Sequence, residues 1–556
     1  MANDQGPTTN DQLTTDNWRL RAGLEWLTLA GFCAFLFYYG LGAFGLVGAD
    51  EPRYAQVARE MLQRHNWITP FLYGQPWLEK PILYYWQAML CYKVFGVSDW
   101  VARLPSAIDA TAMVLAVYLF FRQFRRGFQL DAALIMASTA GLIGLSRSAS
   151  TDMPLTATFT IALVAWLAWY EGGRRRWLLV FYFFLALATL AKGPVAVGLA
   201  GLIVVLFAIG WWNLKLIAQT LWWPGLLLYF AAALPWYIAV QRQNPTFFYS
   251  FFVEQNLARF STNLYHHVQP WWYFVPVLLL ALVPWTVLIS AAFAGAVRRW
   301  KREPDENDAT IGADSLFLTW ITVVLVFFSA SHSKLPAYIL PAVPAGAMLL
   351  ADYLQRVTQA GKRPHTAWLV LHAAMAAGVL GPALLIQYLV LGQAASRQAL
   401  VIAVVVSAAM FAAILITLAR RGIRSLRFIT LVPVILGVAL ILRLGSSVLD
   451  RTQSERPVAQ ELASMETTKL PIAVFNATRE TEYGLAFYRD QVVSNYNRGE
   501  IPPGQHLVVA REGSQEQLRV LLPDRRISHL GGLPTEHLEY FWVSAPGMSM
   551  PGMKQQ

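Results

Sequence analysis

The sequence predicts an α-helical polytopic membrane protein that ends in a smaller α/β domain. Three observations carry that prediction. Charged residues occupy 14% of the 556 positions, against about 25% in a soluble domain. The mean hydropathy is +0.42. Apolar runs of roughly 17–25 residues, long enough to cross a bilayer as a helix, recur along most of the chain.

About thirteen spans are expected, near 26–48, 100–121, 130–147, 153–170, 177–191, 194–212, 222–240, 274–296, 314–331, 336–353, 367–390, 398–418 and 426–445. Each must be helical, because lipid offers no partner to a backbone amide. Residues 1–25 are polar and of mixed charge. They lack the basic start and apolar core of a cleaved signal peptide, so the first span is expected to persist behind a cytoplasmic tail.

Orientation follows from the cations. One set of loops holds Arg122, Arg125 and Arg126, then Arg174 to Arg176, Lys215, Arg298 to Arg302, Arg356 to Arg363 and Arg420 to Arg427. These loops alternate with cation-poor ones, which places the N-terminus inside and the C-terminus outside. The net charge of +11 reads mainly as this topogenic signal. Cations spread over many short loops do not suggest a nucleic-acid partner. Cys33 and Cys91 lie in apolar stretches, so neither a disulfide nor a cysteine-based metal site is expected.

Two segments between the spans are long. The segment at about 49–99 holds Val57 to Leu62 and Ile82 to Trp86, with the mixed faces of helices lying at the interface. The segment at about 241–273 is aromatic and polar, as a lid over a cavity would be. From about 446 to 556 the composition changes to that of an outer α/β domain. Strands are expected at Ile472 to Phe475, Leu507 to Ala510 and Leu538 to Ser544, and helices at Glu482 to Arg489 and Ser514 to Leu522.

The polar motifs gather on the outer side of this map, and each has a plainer alternative. Asp50 and Glu51, just before Pro52, suit a helix start. A carboxylate held ionised by Arg53 also suits a general base or a cation-stabilising group. Glu79 and Lys80 form either a surface pair or a phosphate contact, with Glu79 orienting Lys80 or binding a divalent metal. Asp152 opens a span, as an N-cap residue would. Lys192 interrupts two apolar runs, as a plain topological turn would; Lys334 sits in a similar but richer polar cluster, and Tyr338, on the next helix, could hydrogen-bond a phosphate. Arg259 suits bidentate oxyanion contact. His266 and His267 are adjacent and chelate poorly together; one of them with Glu79 makes an incomplete metal site, beside the reading of a hydrogen-bonded interfacial histidine.

Carboxylates, cations and aromatics at one bilayer face fit cleavage of a sugar–phosphate bond in a lipid-linked donor. The leaving phosphate must be neutralised, and the oxocarbenium-like centre must face an anion. No Walker or Rossmann signature is apparent, so no nucleotide is expected. A transporter or flippase would place its charges near the midplane, between broken helices and related repeats.

The ordered set Asp50-Glu51-Pro52-Arg53-Tyr54-Ala55, Glu79-Lys80-Pro81, Asp152-Met153-Pro154, Ala191-Lys192-Gly193-Pro194, Val253 to Phe260 and Lys334-Leu335-Pro336-Ala337-Tyr338 resembles the ArnT-like members of the protein-mannosyltransferase superfamily. These are glycosyltransferases of the GT-C fold, and the likeness runs through residues 26–350. It implies a GT-C domain over 26–445 and transfer of a sugar, such as 4-amino-4-deoxy-L-arabinose, from a polyprenyl phosphate on the periplasmic side of a bacterial inner membrane. The implied acceptor is lipid A, a lipopolysaccharide modification linked to polymyxin resistance. A protein hydroxyl or another envelope glycan is the alternative. By the resemblance Asp50 is the central acidic residue, and Lys80 and Arg259 hold the donor phosphate with Tyr338 assisting. Read from the residues themselves, Glu51 and Asp152 join Asp50 as candidate catalytic groups, and Arg53 and Lys334 join the candidate phosphate ligands. A metal site (Zn, Mg or Mn) would fall on Glu79 and His267. Gln255 stands where the family often has His, which weakens that site. The chain is expected to act as a monomer.

Overall fold

The computed structural model describes residues 22–258, 269–300 and 309–544. Among these, eight helices are long and apolar enough to cross a membrane, and ten if each of two bent pairs counts as one span. The thirteen expected spans are therefore not all single long helices. The first runs Ala22–Tyr38 and stops ten residues short of its expected end. The two expected at 130–147 and 274–296 are broken, into Gln129–Ala137 plus Ala140–Ser146 at 65° and Phe274–Ala281 plus Thr286–Trp300 at 114°. Of the expected tail at 1–25, only residues 22–25 are described.

The two breaks meet. Ala140 N–H donates to the Val283 carbonyl at 2.8 Å, and Trp285 Nε1 donates to Ser138 Oγ at 2.8 Å. Ser138 Oγ also donates back to the Leu134 carbonyl at 2.6 Å, in the last turn before the first break. Backbone groups freed inside an apolar layer need such partners, and each break supplies the other's.

We number the elements that build the site α1 (Ala22–Tyr38), α2 (Asp50–Gln63), α3 (Leu83–Phe95), α4 (Asp99–Phe124), α5 (Gln129–Ala137), α6 (Ala140–Ser146), α7 (Asp152–Gly172), α8 (Arg176–Lys192) and α9 (Val195–Gly210). α7 is the central post: 94% of its apolar window is buried in protein, against 11% for Arg397–Arg421. Both helices are apolar all round, so only packing separates a core helix from one that faces lipid.

α7 also separates two groups of charge. At one end Asp152 pairs with Lys192. At the other end of this 21-residue helix, about 28 Å away, Glu171 accepts from Arg125 at 2.6 Å. Near that far end Asp314 bridges Arg299 and, at 2.9 Å, Arg356, and Asp131 binds Arg427. Several cations of the basic loops thus also tie helix ends together.

The carboxy-terminal region forms a five-stranded sheet in the order β4-β3-β5-β7-β6. Its strands are β3 (Ile472–Phe475), β4 (Val493–Asn495), β5 (His506–Arg511), β6 (Arg526–Leu533) and β7 (Leu538–Ser544); a two-stranded hairpin, β1 (Phe71–Leu72) and β2 (Gln75–Pro76), precedes them in the chain. β3 pairs in parallel with β4 and β5, while β7 runs antiparallel to β5 and β6. The expected strands β3, β5 and β7 are present, and so are helices at Arg479–Arg489 and Gln515–Leu521. Sequence reading misses β4, which has three residues, and β6, whose alternation is interrupted by a register shift between His529 and Gly531.

This region is not a remote appendage. Its helix Arg479–Arg489 packs along α2. Arg59 donates to the Phe487 carbonyl at 2.6 Å, and Leu46 N–H donates to the Tyr488 hydroxyl at 2.6 Å.

Candidate active site

The site is built where the start of α2, the loop before α3, the start of α7 and the end of α8 converge. Asp50 is the first residue of α2 and keeps 56% of its side chain exposed. Its Oδ1 accepts from Arg53 Nη2 at 2.5 Å, one helical turn on. Arg53 Nη1 lies 3.9 Å from Glu79 Oε2. The guanidinium is caged by the rings of Tyr54, Trp77 and Tyr483, at 5.1, 5.3 and 5.7 Å from its Cζ. Burial works against this charge, but Tyr54, Asp50 and Glu79 outweigh it and hold the Arg53 pKa above its ordinary value. Arg53 therefore stands between two carboxylates and orders them.

Tyr54 marks the centre of the convergence. Its phenol is pushed up, first by burial and then by Asp50, with Asp152 and Glu79 adding to the effect and Arg53 opposing it. Three of the acidic residues singled out in the sequence thus act on one buried ring.

Glu79 connects this rim to a cavity of about 450 Å³. Lys80, Lys192, Gln255, Ser331 and Tyr338 also line it. Lys192 is paired with Asp152, and its Nζ lies 4.4 Å from the centre of the Tyr338 ring. Gln255 Oε1 is buried there without a hydrogen-bond partner among the described residues. A second, apolar groove of about 700 Å³ adjoins the cavity and shares Pro194 and Phe252 with it. Tyr229, Phe230, Leu234 and Ile238 supply much of its wall.

The junction depends on Gly193. Its φ of 85° and ψ of −157° belong to glycine alone, and a Cβ here would stand 2.7 Å from Phe251 Cζ. The α8–α9 turn can thus press against the aromatic segment Tyr249–Ala258, where Asn256 Nδ2 holds the Phe251 carbonyl at 2.7 Å.

Several expected site residues are placed differently. Glu51 is 4% exposed and faces away from the cavity that holds Lys80. Its oxygens accept from Arg103 Nη2 at 2.7 Å and Nε at 3.2 Å, from Val47 N–H at 2.9 Å and from Ala149 N–H at 2.8 Å. All its acceptor positions are engaged, so its expected catalytic role becomes structural. Lys334 turns back on its own loop and donates at 2.5 Å to the carbonyl of Ser331, a residue of the cavity lining, without lining the cavity itself. Asp50 and Asp152 are not side-chain caps; Ala49 and Thr151 occupy the N-cap positions without a capping bond. Arg259, His266 and His267 lie outside the described residues.

Of the two residues expected to hold a metal, Glu79 lies among the described residues and His267 does not. No three His, Cys, Asp or Glu side chains gather into a metal site among the described residues. Glu79 instead faces Arg53 and shares its cavity with Lys80 and Lys192. We derive no step through a metal.

Sequence reading missed Arg103, Trp77 and Tyr483. Arg103 carried a signal, a single arginine near the start of an apolar span. Tyr483 carried none, because it reaches the site only through tertiary packing.

Fold and site together define a multi-span membrane protein of the GT-C class, with a cationic cavity at one membrane face. Residues 79–238 match the family described as dolichyl-phosphate-mannose-protein mannosyltransferase. The chain is 33% identical over 333 residues to the undecaprenyl phosphate-alpha-4-amino-4-deoxy-L-arabinose arabinosyl transferase of Pseudomonas savastanoi pv. phaseolicola, covering 58% of this chain and 60% of that one. It is also 33% identical over 339 residues to the protein of the same description from Pseudomonas aeruginosa, covering 57% and 58%. The chain therefore spans less than two thirds of the length of these relatives. Its structure matches the crystal structure of ArnT from Cupriavidus metallidurans bound to undecaprenyl phosphate, with a TM-score of 0.77, 21% identity and coverage of 94% of this chain and 99% of that one. The chain is ArnT-like in sequence, and it has the ArnT fold.

Proposed function

We propose that this chain is an inverting membrane glycosyltransferase. It takes a sugar, 4-amino-4-deoxy-L-arabinose or a related pentose or hexose, from undecaprenyl phosphate and places it on a lipid A phosphate. The observation that carries this reading is the apolar groove running into a cavity lined by Lys80 and Lys192, beside Asp50 and Glu79. A polyprenyl tail suits the groove, and its phosphate suits the lysines. The activity named for the Pseudomonas relatives supports the same substrate class.

In the reaction the C1–O bond of the donor breaks, and its electron pair leaves on the phosphate oxygen, where Lys80 and Lys192 neutralise the charge. An acceptor phosphate oxygen forms the new bond from the opposite face, which inverts C1. That oxygen is already anionic and needs no base. Asp50, positioned by its ion pair with Arg53, stabilises the positive charge that develops on the sugar. The outer set of motifs supports a periplasmic site in the inner membrane, with the N-terminus cytoplasmic.

Mass spectrometry of lipid A from cells with and without the gene tests the proposal. A sugar-sized mass that disappears with the gene supports it, and unchanged lipid A overturns the acceptor assignment. The family match over 79–238 favours one second reading, transfer to a protein hydroxyl. Asp50 would then act as the general base, and periplasmic glycoproteins would change instead.

A further inference from the structure

A second cavity, of about 360 Å³, lies behind the Glu51–Arg103 pair and is separate from the donor groove. It begins at Arg147 and Ser148, in the connection that leads from α6 to Asp152. It reaches inward to Ser138, Ala140, Val283 and Pro284, where the two broken helices meet. Ser138 and Arg147 are nine residues apart, about 13 Å along a helix. The remaining wall is largely aliphatic and includes Val434, Val438, Ile441 and Leu442.

Charge is unbalanced here. Glu51 and Arg103 both line the cavity and neutralise each other. Arg147 also lines it and has no carboxylate partner among the ion pairs of the described residues. Its Nη1 donates to the Leu36 carbonyl at 3.1 Å, while Nη2 is buried with no hydrogen-bond partner among the described residues. A guanidinium held in apolar surroundings without a counter-ion is costly. Basic pockets between membrane helices bind anionic lipid headgroups. The cavity combines one cation that has no carboxylate partner among the described residues with an aliphatic slot.

We propose that this cavity is a second lipid site: it binds a phosphate-bearing lipid of the bilayer, with the phosphate on Arg147 and an acyl chain lying toward the helix breaks. The site stands apart from the donor groove and does not depend on the reaction assigned above.

Native mass spectrometry of the full chain released from nanodiscs tests this directly. The probes are phosphatidylglycerol, a glucosyl diacylglycerol that lacks phosphate, and inorganic phosphate alone. Wild type is expected to retain phosphatidylglycerol over the glycolipid. Arg147→Gln should lower that retention about tenfold or more, and Arg147→Lys should restore much of it. Val438→Trp, which fills the slot and leaves the cation in place, should also displace the lipid. Thermal unfolding of each variant shows that it is folded. Equal retention of phosphatidylglycerol by folded wild type and Arg147→Gln would overturn the proposal. So would competition by inorganic phosphate with no effect from Val438→Trp, because that result describes an anion site and not a lipid site.

Discussion

Tyr483, on a carboxy-terminal helix, places its ring 5.7 Å from the guanidinium carbon of Arg53, 430 residues earlier in the chain. Arg53 in turn holds Asp50 at 2.5 Å. The carboxy-terminal region therefore completes the cage that orients the principal acidic residue. Tyr483→Ala should slow transfer several-fold, the value of about 0.5–2 kcal/mol expected for a cation–π contact. Tyr483→Phe keeps the ring face and should turn over nearly as wild type. Equal rates for all three would remove Tyr483 from the site.

Asp50 and Glu51 are neighbours with opposite expected phenotypes. Asp50→Asn changes an exposed carboxylate that makes one ion pair. It should leave folding intact and lower turnover about a hundredfold or more. Glu51→Gln strips the charge partner from Arg103, which is 1% exposed. That should destabilise the protein by about 3–5 kcal/mol and appear as lost yield and a lowered Tm. A stable Glu51→Gln protein with abolished turnover would return Glu51 to catalysis.

The lysines divide in the same way. Lys80→Ala and Lys192→Ala should each weaken binding of the donor lipid about tenfold or more, as loss of a charged hydrogen bond implies. Lys334→Ala should leave donor affinity unchanged and lower the Tm, because this lysine bonds its own loop. Binding titrations with undecaprenyl phosphate separate the two cases.

Gly193→Ala should cost about 1–3 kcal/mol from backbone conformation alone, with the contact against Phe251 added. A lowered Tm together with weaker donor binding is expected. Wild-type behaviour in both would mean that the turn does not shape the cavity.

Glu455 and Glu536 supply a pH test. Burial raises both pKa values above the ordinary carboxylate range, and Glu455 raises that of Glu536 further. The folded protein therefore binds protons more tightly than the unfolded chain does. That contribution to stability is present below the ordinary glutamate pKa of about 4.3 and is lost as the pH rises toward the folded values. The Tm should fall on going from weakly acid to alkaline buffer, and Glu536→Gln should flatten that slope. An unchanged slope would show that the pair does not titrate in that range.

What the sequence by itself determined was whatever depends on local composition. Low charge and long apolar runs dictate membrane helices. Helix and strand signals place β3, β5, β7 and the helix that carries Tyr483. The short polar motifs around Asp50, Glu79, Asp152 and Lys192 stand out because charge beside apolar runs is costly and rarely idle. Tertiary structure decided the rest. It buried Glu51 and left Asp50 exposed, although the two are adjacent, because consecutive helical positions face different directions. It set α7 at the centre and left Arg397–Arg421 at the edge, although both are apolar all round. It broke two spans where their freed backbone groups could pair with each other. It brought Tyr483 to Arg53 and left Arg147 without a counter-ion among the described residues, because both outcomes depend on groups distant in sequence that meet only after packing.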